Sequence, residues 1–161
     1  MRRILTVALA LTLALGLAAC GGGGQNDAPP LYAAGDVTKI SEAGAFTADL
    51  YDLEELDADT AFLLYKLAEH NLTREDLKEC AVLRSAGATC EEAAVLSFTD
   101  ADKAEAAVSA LDGYITGQIS ANRDYRPAEV SKLENAWIDR RGETVLLVVA
   151  NDLEAAKSAV G

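Results

Sequence analysis

The chain has one histidine, His70, and three cysteines, Cys20, Cys80 and Cys90, in 161 residues. A His-centred triad or zinc site would need partners around His70 that its neighbours do not offer. Its place at the end of an apolar-periodic stretch suits a helix-end cation instead. The sequence holds no Cys-x-x-Cys pair, glycine-rich phosphate loop, nucleophile elbow or paired-carboxylate signature. No catalytic residue, metal ligand or cofactor-binding residue is therefore assigned, and no cofactor is expected. Positive charge is also scarce: 14 Lys and Arg stand against 26 Asp and Glu, a formal net charge of −12. Such a surface is repelled by nucleic acid, which is excluded as a partner, and gains nothing from anionic lipid head groups.

No apolar run reaches the roughly 20 residues of a comfortable membrane span. Residues 4–17 come nearest; they follow Arg2 and Arg3 and precede the small residues Ala18 and Ala19, the order of a cleavable export signal. Leu17-Ala18-Ala19-Cys20 resembles the lipobox of bacterial lipoproteins, in which the cysteine thiol takes up a diacylglyceryl group and the peptide is cut just before it. An ordinary signal peptide with a coincidental cysteine and an uncleaved membrane helix are the competing readings. Two acyl chains, at about 0.8 kcal/mol per buried CH₂, hold a protein on a bilayer for practical purposes permanently. The glycines from Gly21 to Gly24, followed by polar residues and Pro29-Pro30, carry no apolar periodicity and read as a tether. The expected organisation is a signal peptide over 1–19, a lipidated flexible Gly/Pro tether over 20–35 and a single α+β domain over 36–161.

What is present in that domain is apolar periodicity. A short helix is predicted over 36–45 with Asp36 as candidate cap. An acidic connector follows, holding Asp49, Asp52, Glu54, Glu55, Asp57 and Asp59; it lacks the glycine and spacing of an EF-hand and reads as a solvated turn. The spacing of Leu63, Leu64, Leu67 and Ala68, with Phe62 or Tyr65 at the margin, predicts a helix over 59–71. Thr73 and Asp76 form a capping-box signal. Residues 80–84 and 92–98 read as a hairpin, and Thr99-Asp100 cap a long helix over 101–122. Pro127 opens a short helix to 135. A second hairpin follows, 136–140 with 144–150, whose last strand is apolar enough to be covered on both faces. A final helix is capped by Asn151 or Asp152.

The two hairpin-plus-helix stretches parallel each other. The predicted fold is α+β, an N-terminal helix or helices followed by two strand-strand-helix units. Together these make a four-stranded antiparallel sheet with helices mainly on one face. In an exported chain Cys80 and Cys90 raise the question of a disulfide. A turn near 86–87 sets them roughly 10 to 17 Å apart along the hairpin, at ~3.4 Å per residue and against a bridging limit near 7 Å. A bond would require Cys90 to fold back over the strand.

The segments around Glu92, around Tyr125 and Pro127 ahead of Lys132-Leu133-Glu134-Asn135-Ala136, and around Asn151-Asp152 after the last strand resemble the bacterial lipoprotein family catalogued as domain of unknown function 4358. The resemblance spans roughly residues 37–160. It implies a lipid-anchored extracytoplasmic protein and brings no activity or catalytic residue. Cys80 and Cys90 depart from its usual pattern, where small non-cysteine residues are expected.

The function expected is that of a non-enzymatic binding or interaction module. It would be held at the extracytoplasmic face of the cell membrane by a lipid on Cys20, with an envelope protein or small ligand as partner. The alternative is an envelope enzyme using scattered carboxylates, Glu91, Glu92 and Glu129. Tyr125 with Arg126 and Glu129 could form a ligand edge, and Trp137 could be a recognition aromatic; packing is the favoured role for both aromatics.

Overall fold

The computed structural model of the protein describes residues 28–48, 52–87 and 89–161. Cys20, the export-signal segment and the first part of the tether lie outside the described residues. Strands β1 (Leu53–Leu56), β2 (Leu77–Ser85), β3 (Glu92–Phe98), β4 (Trp137–Arg141) and β5 (Thr144–Val149) form one antiparallel sheet in the order β1-β2-β3-β5-β4. Helices α1 (Asp36–Glu42), α2 (Ala58–Leu64), α3 (Ala101–Asn122), α4 (Pro127–Glu134) and α5 (Leu153–Val160) complete the α+β fold. The two hairpins precede α3 and α5, and their second strands, β3 and β5, pair at the centre of the sheet.

Side chains alternate between the faces of a strand, and in β3 and β5 both sets are apolar. Ala94, Leu96 and Phe98 with Val145, Leu147 and Val149 pack in one cluster with Ala61 of α2 and Ala104, Ala107 and Leu111 of α3. Ala93, Val95, Leu146 and Val148 pack in a second cluster with Val37 and Ile40 of α1 and Ala156 of α5. Helices therefore cover both faces, which corrects the expectation of one helical face. The physical reason is the double-sided burial that the apolar strands demand.

The sheet also has five strands rather than four, the extra one lying within the acidic connector. Leu53-Glu54-Glu55-Leu56 lacks strand alternation because β1 is an edge. It pairs only with β2, from Leu53 opposite Ser85 to Leu56 opposite Val82, and leaves Glu54 and Glu55 exposed. Charge on an edge strand is tolerated and discourages further pairing.

The helix expected over 59–71 is shorter. Asp57 caps α2 by accepting from Thr60 N at 2.7 Å, and α2 stops at Leu64. Lys66 then takes a left-handed conformation, φ 52°, and Leu67–His70 form a 3₁₀ turn. Residues two apart on an α-helix point about 200° away from each other, yet Tyr65 and Leu67 are both fully buried. The break at Lys66 reconciles them. It leaves Leu63, expected in the apolar stripe, 75% exposed.

Packing begins at Tyr32, ahead of the boundary read at residue 36. The Tyr32 amide donates to Thr144 Oγ1 at 3.0 Å, its hydroxyl donates to Asp139, and the Arg141 guanidinium lies 4.1 Å above its ring. Asp36 is not the cap of α1; it sits in the first turn and accepts from Ala33 N at 2.9 Å and Lys39 Nζ at 2.7 Å. At the β4–β5 turn Gly142 has φ +57°, and a Cβ there would stand 2.8 Å from Leu31 Cδ2. The Leu31 tip can yield, but the left-handed backbone cannot, so Gly142→Ala should lower unfolding stability by about 1 kcal/mol, read from the urea midpoint.

Candidate functional site

The carboxylates singled out in the sequence meet the structure at the head of β3. Ser85 N donates to Glu91 O at 2.8 Å and Arg84 stands opposite Glu92, so the hairpin register fixes both glutamates. As neighbours on an extended chain they point to opposite sides.

Glu92 lies on the α2–α3 side. It accepts from Tyr65 Oη at 2.5 Å and Tyr114 Oη at 2.8 Å, with Arg84 Nε at 3.7 Å. The two tyrosine rings meet edge to face, centroids 5.1 Å apart. Burial holds the Glu92 pKa above the ordinary carboxylate value, against the lowering effect of the two hydroxyls and Arg84. Burial likewise raises the pKa of Tyr65 and Tyr114, with the charge of Glu92 adding to it.

Glu91 has no exposed side-chain surface and faces a different set of groups. Its carboxylate accepts from Thr47 N, at 2.9 and 3.0 Å to its two oxygens, from Thr47 Oγ1 at 2.7 Å and from Ala48 N at 2.9 Å. Lys132 Nζ donates to it at 3.0 Å and lies 3.2 Å from Glu129. Glu129 in turn accepts from Cys90 N at 2.9 Å. Burial alone would raise the Glu91 pKa; the donors from Thr47, Ala48 and Lys132 bring it below the ordinary value. Burial would lower the Lys132 pKa, and its bonds to Glu91 and Glu129 raise it instead.

A family model described as Domain of unknown function (DUF4358) matches residues 46–150, the span that holds this whole network. The chain belongs to that family. No curated protein and no solved structure matches it. The DUF4358 match is shorter at both ends than the resemblance read over 37–160, and it excludes α1 and α5 while including every strand.

Within the DUF4358 segment, the three carboxylates do not converge on one site. Glu91 and Glu129 share Lys132, whereas Glu92 stands across the strand with two tyrosines. The cavity touching Glu91, Glu92, Cys90 and Tyr114 holds about 20 Å³, room for one water molecule. Tyr125 is 88% exposed and so does not pack. Its neighbour Arg126 holds Asn122 Oδ1 and the Gly87 carbonyl, both at 2.8 Å. Trp137 does pack, edge to face with Tyr32 at 6.4 Å.

Tyr65, Tyr114, Thr47 and Lys132 were missed as partners. Only Lys132 left a signal, three residues after Glu129 on a helix, where the two share a face. Cys80 and Cys90 are both free. Burial raises both thiols, Cys80 to about 11, which keeps them from being reactive thiolates. Cys80 pairs with Leu96, six residues beyond Cys90, or about 20 Å along a strand at ~3.4 Å per residue. The intact mass of the unreduced protein should show no loss of two hydrogens between them.

The neighbouring glutamates should respond to pH in opposite senses. The folded pKa of Glu91 is depressed, so its contribution is present above the ordinary carboxylate pKa and is lost as pH falls through the folded value. That of Glu92 is raised, so the folded state keeps a proton that the unfolded chain releases, and stability falls as pH rises through that window. Glu91→Ala, which leaves two amides without an acceptor and takes away one of the two carboxylates that Lys132 holds, should cost about 3 kcal/mol. Glu92→Gln keeps an acceptor for both tyrosines and should unfold at the same urea concentration or a higher one at pH 7, with the loss on raising the pH abolished.

Proposed function

We propose that this DUF4358 protein is a non-enzymatic binding module, tethered to the extracytoplasmic face of a membrane by a lipid on Cys20. The observation that supports a binding rather than a catalytic role is the commitment of the three candidate carboxylates to internal partners: Glu91 and Glu129 to Lys132, and Glu92 to Tyr65 and Tyr114. A group held by that many fixed donors anchors the fold and is not free to exchange protons with a substrate. The open features are grooves. One of about 220 Å³ runs between α1 and the β1–β2 edge, with Val37, Ala81 and Leu83 in its lining and Glu55 among them. Its size, below the roughly 300 Å³ at which small-molecule sites begin, and its mixed lining suit a side chain of a protein partner.

Support for the anchor lies in Leu17-Ala18-Ala19-Cys20 behind a basic, apolar leader. No helix among the described residues is long and apolar enough to cross a membrane. Membrane attachment of the domain would then fall to the lipid. Growth with labelled fatty acid should place label on the wild-type chain and none on Cys20→Ser, which should be released or remain unprocessed. Label on the serine variant would reject the anchor. Covalent cross-linking in the native membrane should capture a discrete partner, and recovery of abundant bystanders alone would reject the interaction role.

A further inference from the structure

The Tyr32 clamp decides at which end of the sheet the N-terminal segment leaves the domain. Arg141 Nη1 donates to the Pro30 carbonyl at 3.4 Å, Leu31 lies against Gly142, and Tyr32 N is bonded to Thr144 Oγ1. Residues 30–32 are thus laid along the β4–β5 turn. The same end holds the finish of β3, where Phe98 N donates to Glu143 O at 2.9 Å, and the last turn of α5, where Arg141 Nη1 reaches Val160 O at 3.3 Å.

From there α3 carries the chain away for 22 residues, about 33 Å at 1.5 Å per residue. It arrives at Asn122, Arg126 and the β2–β3 hairpin, the end where Glu91 and the exposed Tyr125 sit. Cys20 precedes Pro30, the first residue held on the domain, by ten residues, a length that spans at most about 36 Å even when fully extended. Only a fully straightened tether would match the length of α3, so the clamped end stays nearer the lipid.

We infer that the domain stands on the bilayer with its β4–β5 turn toward the lipid and displays the opposite end, rimmed by Tyr125 and the β2–β3 hairpin, outward to partners. This rests on the lipid attachment at Cys20 proposed above. Charge is a weak orienting force, because four cations of the lipid-facing end are already paired and Lys78 at the start of β2 is the exposed one there without an ion pair among the described residues. Arg140 lies 2.9 Å from Glu105, Lys103 3.3 Å from Asp76, Arg141 3.5 Å from Asp139 and Lys157 3.0 Å from Glu154. The geometry of the tether sets the orientation.

Two exposed alanines of α3, Ala101 and Ala121, test this because they lie about 30 Å apart along one helix. The full chain is prepared with Cys80→Ala and Cys90→Ala, and with either Ala101→Cys or Ala121→Cys as the free thiol, Cys20 being blocked by its lipid. A fluorophore is attached to that thiol, and the protein is floated on phosphatidylcholine vesicles containing a lipid with a spin-labelled head group. Serine at positions 80 and 90 serves if the alanine background does not fold. The label at position 101 should be quenched several-fold more than the label at 121, in low and high salt alike. Equal quenching, or stronger quenching at 121, on vesicles that do carry the protein overturns the orientation and leaves the anchor standing. Protein that fails to float with the vesicles removes the anchor and the orientation together.

Discussion

A carboxylate taken wholly out of water must find its donors inside the protein, and Glu91 finds them on three separate pieces of chain. Thr47 and Ala48 come from the segment after α1, Thr89 from the β2–β3 connection and Lys132 from α4. Stranding any of these would leave an uncompensated buried charge or amide, so their relative positions are fixed by one side chain. Glu92 does the same on the other face, drawing α2 and α3 together through two hydroxyls. Tyr65 lies one turn after buried Ala61 and so faces inward to reach it, and the break at Lys66 then turns Leu67 inward as well.

The central strands, α3 and α4 were legible in the sequence because their signals are local: continuous apolar runs, an Asp100 cap that accepts from Lys103 N at 2.9 Å, and proline at the first position of α4. The class α+β was legible for the same reason. Where the reading failed, the deciding interaction joined residues distant in sequence. β1 has an unremarkable pattern by itself and becomes a strand by pairing with β2. The helix over 59–71 is interrupted at Lys66 so that Leu67 as well as Tyr65 enters a core built by distant strands and α3. The second helical layer was half legible: the strand over 144–150 was read as covered on both faces, yet the helices were expected mainly on one.

The site residues were found without their meaning. Glu91, Glu92 and Glu129 stand out from the sequence as acids beside apolar strands and helices, and all three do prove to be engaged. Their separation into two independent networks could not be read from spacing, because it depends on which side of β3 each one faces and on Tyr65, Tyr114 and Thr47 arriving from elsewhere. Tyr125 reversed in the other direction. An aromatic in the loop that flanks the sheet reads as a packing residue, and here Arg126 takes the inward position while Tyr125 is left in solvent.

The limits of the family segment have a material consequence. Residues 46–150 contain the whole sheet but neither α1 nor α5, and these two helices touch each other as well as the strands beneath them. A fragment cut at those limits would keep one dry side and turn the other, with Val95, Leu146 and Val148 on it, into a wet apolar plate. Such a plate invites stacking with another of its kind. The piece of this chain that keeps both faces of its sheet covered therefore runs from Tyr32 to the end of α5, beyond both edges of the segment that matches its family.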